Sequence, residues 1–289
     1  MNPTMNSKTF PSIPPDTAKA ARAVFGRSNF YLAAGDQVDH LFGGLVLEDP
    51  SRRLYQLPRT LAILYLITIF QFVETLPDQL AVDALRKRID WKYALHLPLS
   101  HPGLEAAALC EFRRWLLVDQ TGQKNLQTLL SRLSEVTGFP SKRPTSLESC
   151  QVILTVCQIS RLAKIWEAFN QAMQSLATRR PEWLLAASLP HWYERYSQPH
   201  RYLNFKTGNQ EKHSLAQAIG ADGIYLLEAV SNADDPELAE GDEIRALREV
   251  WREQFEFTEG KVSWRKEVCA GCSLPDILSN PIQRANYDQ

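Results

Sequence analysis

Cys269 and Cys272 are separated by two residues, the spacing found in redox motifs and in half of a structural zinc site. A zinc site needs four ligands, and neither a second CxxC motif nor a pair of histidines lies nearby in the sequence. A thioredoxin-like site would need a flanking strand and helix, which the sequence does not indicate. We therefore interpret the cysteines as an incidental pair of thiols, and we assign no metal role to His191 and His200.

The second group of residues with a possible chemical role is basic, and it lies in the first half of the chain. Arg86, Lys87 and Arg88 are consecutive, Lys92 follows between Trp91 and Tyr93, and Arg113 and Arg114 are adjacent. Basic side chains backed by aromatic residues are typical of a helical surface that contacts DNA phosphates. From composition alone, an ordinary solvated helix face is the favoured interpretation.

Other familiar catalytic patterns are missing from the sequence. It contains no GxGxxG, no Walker lysine loop, no GxSxG and no HExxH. The formal net charge is only −1, so binding to nucleic acid would need a local basic face. Residues 1–145 carry 17 basic and 13 acidic side chains, whereas residues 146–289 carry 15 and 20. The first half is therefore the better candidate for DNA.

Composition places the chain among globular proteins. It has 289 residues, of which 44% are hydrophobic and 22% charged, enough for one large or two ordinary domains. The five cysteines are an odd number and widely spaced, which favours a reducing compartment. Residues 1–16 are polar and proline-rich and do not have the pattern of a signal peptide. The uncharged run Thr60 to Val73 is too short to span a membrane and predicts a buried core helix.

Helical periodicity dominates the first half. We predict a short helix capped by Thr17, a long apolar helix from Pro58 to about Leu76, and a helix that begins at Asp78. Further helical segments are predicted over 90–95, 104–118 and 124–136. A linker is predicted over 141–145.

The second half is predicted to be helical as well. Apolar residues from Val152 to Leu176 recur at steps of three and four, which predicts a helix of about 25 residues that ends before Pro181. Separate helices are predicted over 214–219, 224–230 and 237–257. Only Lys261 to Arg265 has the pattern of a strand.

Several segments together resemble a known family. The segments are Ile69 to Asp78, Arg88 to Leu95, Leu109 to Arg113, Trp192 to Tyr196, Ile219 to Gly223, Leu247 to Trp251 and Ser279 to Pro281. In this order they are similar to bacterial insertion-sequence transposases with an InsH-type N-terminal domain. The resemblance extends from about Ile13 to the end of the sequence.

The resemblance implies a DDE transposase, in which three carboxylates of an RNase H-like fold hold two Mg²⁺ ions for phosphoryl transfer. The position of the family's first aspartate is occupied here by Glu148. Its extra methylene displaces the carboxylate by about 1.5 Å, which suits Mg²⁺ poorly. The resemblance places the other two carboxylates beyond Gln289, so we expect no cofactor in this chain and no strand cleavage by the chain alone. The segment around Glu148 should then join the following helix.

These observations lead to one set of expectations. We expect a mainly α fold with little or no β-sheet: a leader over 1–15, an InsH-type helical domain over 16–140, and a helical region over 146–289 that corresponds to the insertion into an incomplete catalytic domain. The expected protein is a truncated or degenerate N-terminal part of such a transposase, which at most binds double-stranded DNA at terminal inverted repeats, in the bacterial cytoplasm or nucleoid and without a membrane. Self-association, or association with the C-terminal half of a transposase, is also open. The alternatives are a helical protein–protein interaction module that modulates a full-length transposase, an interaction module unrelated to DNA, and a remnant without a retained role.

Overall fold

The computed structural model describes residues 10–26, 28–47, 58–136, 148–197, 208–233, 235–258 and 261–265. Within these ranges the chain is mainly α-helical, with one small two-stranded sheet, and the predicted fold class is confirmed. The described part divides into two compact units, the first ending at Cys157 and the second beginning at Gln158. The predicted linker over 141–145 lies outside the described residues, as do Cys269, Cys272 and His200.

In the described part of the first unit there are eight helices and the beginning of a ninth. Their bounds are α1 Pro15–Val24, α2 Phe30–Asp36, α3 Val38–Phe42, α4 Pro58–Glu74, α5 Asp78–Lys87, α6 Ile89–Ala94, α7 Ala106–Val118, α8 Gln120–Ser134 and α9 Ser149–Arg179. The long apolar helix and its successor begin and end close to the predicted residues. Helix α9 begins directly after Glu148, so the prediction that this segment joins the following helix is confirmed.

Helix α4 is the central element of the first unit. Every residue from Leu61 to Phe72 is buried, as expected for an apolar helix that other helices surround. Tyr65 packs edge-on against Phe112 of α7, with ring centroids 5.0 Å apart, and donates a hydrogen bond to the carbonyl of Gly122 in α8. Among the described residues no single helix is long and apolar enough to cross a membrane, and α4 and α5 reach that length only as a pair bent by 109°.

The predicted cap at Thr17 is wrong. Helix α1 begins at Pro15, so Thr17 lies inside the first turn, where it is fully buried. Its hydroxyl donates to the carbonyl of Leu97 at 2.9 Å and thereby ties α1 to the segment after α6. Proline is well suited to the first helical position because it lacks the amide hydrogen that would otherwise be unsatisfied there.

The second unit contains the rest of α9 and the remaining described elements. These are α10 Pro181–Ala187, α11 Pro190–Tyr196, α12 Asn209–Asn232, α13 Pro236–Ala239, α14 Asp242–Gln254, β1 Phe255–Thr258 and β2 Lys261–Trp264. The predicted strand at Lys261 is confirmed. The prediction of one helix over 237–257 is wrong. The structure has two helices, α13 and α14, in this region, and α14 ends at Gln254, directly before β1.

Helix α12 is continuous where the sequence predicted two helices. Gly220 and Gly223 gave the appearance of a break, since glycine weakens a helix by roughly 0.5–1 kcal/mol. In the structure both glycines are buried, and a Cβ atom on Gly223 would overlap the indole of Trp251, while one on Gly220 would overlap the ring of Phe255. The glycines therefore allow α14 and β1 to pack closely against α12.

Candidate nucleic-acid interface

The predicted DNA-contacting residues lie on α5, α6 and α7 or, for Arg88, between α5 and α6, and two polar networks fix this region to the end of α4. The first network surrounds Glu74. Arg88 donates to both carboxylate oxygens of Glu74 at 2.6 Å and to Asp90 at 2.6 and 3.0 Å. Trp91 and Tyr31 also donate to Glu74, so one carboxylate receives three different donors.

The charge of Arg88 is well compensated in this network. Burial lowers its pKa, but the hydrogen bonds to Asp90 and Glu74 outweigh burial, so that the pKa lies above its ordinary value. The guanidinium also lies over the rings of Tyr31 and Trp91, at 4.9 and 5.2 Å from their centroids. Arg88 is therefore a structural residue, since its planar group bridges two carboxylates and stacks on aromatic rings. Arg88, predicted as a phosphate contact, thus has its charge occupied by Glu74 and Asp90, and we omit it from the candidate interface.

The second network joins α4, α5 and α7. Arg113 donates to Asp78 at 2.6 Å and to the side-chain oxygen of Gln71 at 3.3 Å, and Gln71 in turn donates to Asp78 at 2.9 Å. Only 1% of the Arg113 side chain is exposed. Burial lowers the pKa of Arg113, but the charge of Asp78 outweighs burial and the pKa is raised. Arg113 is therefore buried in the network and not displayed on the surface, and we omit it from the candidate interface.

Lys92 is likewise unavailable to DNA. The residue is 5% exposed, and its ammonium group donates to the backbone carbonyl of Leu99, which closes the turn after α6. The sequence pattern placed Lys92 on the same basic surface as Arg86 because both lie in a short charged stretch. The turn between α5 and α6 at Arg88 instead directs Lys92 inward.

Three of the six predicted residues are exposed. Arg86 extends over Gly103 and donates to the carbonyl of Pro102 at 3.0 Å. Lys87, with 74% of its side chain exposed, lies 3.2 Å from Asp83 one turn earlier. Arg114 is exposed on α7, next to the buried Arg113. The structure thus reduces the candidate interface to these three side chains.

Glu148 lies on the surface immediately before α9. Its backbone carbonyl accepts the amide of Val152 at 3.2 Å, as in the first turn of a helix. Burial raises the pKa of the Cys150 thiol to about 11, and the charge of Glu148 adds to this shift. No group of three or more histidine, cysteine, aspartate or glutamate residues that could hold a metal ion occurs within the described ranges.

A third polar cluster, in the second unit, was not predicted from the sequence. Asp222 of α12 is only 4% exposed, and its carboxylate accepts from Tyr196 at 2.6 Å and from Arg195. The exposed His191 lies with Nε2 3.0 Å from the same carboxylate. Burial raises the pKa of Tyr196, and the charge of Asp222 raises it further. The cluster fixes α11 to α12. The signal in the sequence was an aspartate, Asp222, that lies between two glycines of a helix, Gly220 and Gly223.

No family model, curated protein or solved structure matches the chain.

Proposed function

We propose that the protein is related to insertion-sequence transposases and binds double-stranded DNA at the terminal inverted repeats of such an element. The observation that carries the proposal concerns the residues on which the resemblance rests. Glu74, Asp78, Arg88, Trp91 and Arg113 are spread over 40 positions of the sequence, yet they meet in two networks anchored on the end of α4. Buried residues that meet from distant positions of the sequence are residues on which the fold depends, so the proposed relationship rests on residues with a structural role in this chain.

The DNA-binding part of the proposal depends on Arg86, Lys87 and Arg114. They project from α5 and α7, which the buried Arg113–Asp78 pair holds together. A phosphate contact to each would give a dependence of log K on log salt with a slope of about −2.7, because each neutralised phosphate contributes roughly −0.9. The expected interaction is therefore modest and sensitive to salt.

Charge reversal at these three positions tests the proposal. The probes are labelled duplexes taken from either side of the coding sequence, compared with an unrelated duplex of equal length by fluorescence anisotropy at several salt concentrations. The Arg86→Glu, Lys87→Glu, Arg114→Glu variant should lose affinity and most of the salt slope. Reversal of the exposed Arg179, Arg245 and Arg252 in the second unit is the control with the same change in charge. Equal losses in both variants would contradict the assignment.

We also propose that the chain does not cut DNA by itself. Glu148, at the position that the resemblance gives to the first carboxylate, is a glutamate and lies on the surface before α9. The purified chain should leave a supercoiled plasmid intact in Mg²⁺. Cleavage by the chain alone would refute this part, whereas cleavage only after the C-terminal half of a transposase is added would support assembly of the site from two chains.

The second candidate function is a helical protein–protein interaction module. Leu185 in α10 and Tyr193 in α11 are each 81% exposed, although both are apolar or aromatic. Such residues are enriched where proteins bind one another. Failure of the chain to bind heparin or any duplex at low salt would favour this function over DNA binding. In either case we place the protein in the bacterial cytoplasm, with association to the nucleoid if it binds DNA.

A further inference from the structure

Three basic side chains of the first unit converge on the segment 96–103, which follows α6. Arg59 of α4 and Arg86 of α5 each donate to one of its backbone carbonyls, at 3.1 and 3.0 Å, and Lys92 of α6 donates to a third. His101 lies within the segment itself. Basic groups from different elements therefore surround one short stretch of backbone.

No carboxylate compensates this positive charge. None of the three cations forms an ion pair with an aspartate or glutamate in the ranges that the structure describes. This is unusual for Lys92, which is only 5% exposed, because buried charges in proteins are nearly always paired. Arg88 and Arg113 of the same unit, by contrast, each bind a carboxylate at 2.6 Å. The surroundings of the segment thus lack an anion.

His101 responds to the uncompensated charge. Burial lowers the pKa of its imidazole, and the charges of Lys92 and Arg59 lower it further. Both cations therefore lie near the ring, although neither is its neighbour in the sequence. The imidazole is accordingly neutral at pH 7.

The tautomer of this neutral ring is fixed by the backbone. The amide of Gly103 donates to Nδ1 of His101 at 3.1 Å, so the ring hydrogen is on Nε2. No acceptor for this Nε2 hydrogen occurs among the described residues. Arg59 is partly exposed, and within the same residues it donates only through Nη2. The two side chains therefore retain N–H groups that can bind an anion.

We propose that the segment 96–103, with Arg59 and Lys92, binds a phosphate group that supplies the missing negative charge. Arg59 and Nε2 of His101 donate to its oxygens. Lys92 is buried and contributes its charge rather than a direct contact. A phosphate suits the site because several donors can bind its oxygens at once, and because the planar guanidinium matches its geometry.

The phosphate comes from one of two sources, a free phosphate ion or the backbone of DNA. Arg86, a residue of the candidate nucleic-acid interface, donates to the same segment, so the site adjoins that interface. The inference does not rest on the proposed DNA binding, because inorganic phosphate by itself is sufficient to test it.

NMR of the histidine rings in the full unmodified chain tests the site. Inorganic phosphate replaces chloride at constant ionic strength, and the signals of His101 are assigned from the spectrum of His101→Gln. These signals should shift to a plateau, and the pKa of His101 should rise because a nearby anion favours the charged ring. His40, exposed on α3, is the internal control and should move little. Shifts without a plateau, or equal shifts at both histidines, would overturn the proposal.

Removal of one positive charge tests the contribution of the buried lysine. Lys92→Met should weaken phosphate binding about tenfold or more, because the charge acts through a medium of low dielectric constant. It should also raise the pKa of His101 without phosphate, which shows that the charge was near the ring. The matched control is Lys19→Met, the same change at an exposed position of α1.

Arg59→Gln is a second variant, which retains a donor to the segment but removes a charge. It gives an answer even if Lys92→Met does not fold, and it should weaken phosphate binding by a similar factor. Unchanged phosphate affinity in Arg59→Gln, or equal affinities of Lys92→Met and Lys19→Met, would overturn the proposal.

A DNA duplex distinguishes the two sources of the phosphate. If the source is the DNA backbone, the duplex should shift the His101 signals and inorganic phosphate should compete with it. If the source is free phosphate, the duplex should leave these signals unchanged while inorganic phosphate still shifts them. A phosphate response in a chain that binds no duplex would therefore contradict the proposed DNA binding but support this site. A His101 ring that responds to neither would refute the site.

Discussion

The guanidinium of Arg113 donates to the carboxylate of Asp78 at 2.6 Å while only 1% of the arginine side chain is exposed. This pair joins α5 to α7 in the first unit, and Gln71 of α4 hydrogen-bonds to both partners. The three exposed residues of the candidate interface, Arg86, Lys87 and Arg114, thus lie on helices joined by a contact whose arginine the sequence pattern had assigned to the surface. The contribution of this pair can be measured as a change in the free energy of unfolding.

Removal of Arg113 should destabilise the first unit strongly. Arg113→Ala leaves Asp78, with 15% of its side chain exposed, without its charge partner. Breaking one side of a buried pair typically costs about 3–5 kcal/mol. The free energy of unfolding in urea checks this, and Arg114→Ala, on the neighbouring exposed position, should change it by no more than about 0.5 kcal/mol. Similar losses in both variants would contradict a structural role for Arg113.

Arg88 should not be replaceable by lysine. Arg88→Lys retains the charge, but one ammonium group cannot donate to both oxygens of Glu74 and both oxygens of Asp90 as the guanidinium does. We expect a loss of about 1–3 kcal/mol in the free energy of unfolding, in the range of hydrogen bonds to charged groups. Arg86→Lys is the matched control at an exposed position on α5 and should be close to neutral. A neutral Arg88→Lys would show that charge alone matters at this site.

Gly223 should be intolerant of a methyl group because Trp251 occupies the space that it would need. Gly223→Ala would favour the helix locally by roughly 0.5–1 kcal/mol, but overpacking of a core costs about 1–3 kcal/mol, so we expect net destabilisation. Trp251→Phe makes room at this position. In a double-mutant cycle measured by urea unfolding, Gly223→Ala should therefore cost less in the Trp251→Phe background. Strict additivity would mean that the two residues do not compete for space.

Alkaline pH should weaken the second unit through Tyr196. Burial and the charge of Asp222 raise the pKa of this hydroxyl above its value in the unfolded chain. The folded state therefore holds the proton more tightly. Its contribution to stability is complete below about pH 10, the unfolded pKa, and is lost as pH rises toward the folded pKa. Between these values the free energy of unfolding should fall by up to about 1.4 kcal/mol per pH unit for this group.

Tyr196→Phe isolates this contribution. The variant should be less stable at pH 8, by about 1.5–3 kcal/mol, since Asp222 loses a hydrogen bond to a charged acceptor. It should also lose stability less steeply than the unmodified chain between pH 10 and 11. Urea midpoints measured at half-unit intervals of pH compare the two. Parallel curves would mean that the tyrosine does not ionise differently in the folded and unfolded states.

The sequence by itself determined the helical architecture and the approximate bounds of several helices, among them α4, α5 and α9. Spacings of three and four between apolar residues are a local property, and so are Pro58, which begins α4, and Pro181, before which α9 was predicted to end. These signals are sufficient because helix hydrogen bonds join residues only four apart. A separate local pattern predicted the strand at Lys261, whereas the prediction that the segment around Glu148 joins α9 came from the resemblance.

Only the tertiary structure decided which charged residues face solvent and where glycine is accommodated. Arg113 and Arg114 are equivalent in a pattern of basic residues, and only Asp78, 35 positions away, draws one of them into the interior. In the sequence Gly223 resembles a helix break. In the structure the indole of Trp251, from a later helix, occupies the space that a side chain at Gly223 would fill. In both cases the partner is distant in sequence. The charge of Arg113 can be buried only because Asp78 is in contact with it, and a glycine is favourable at position 223 only because Trp251 packs there.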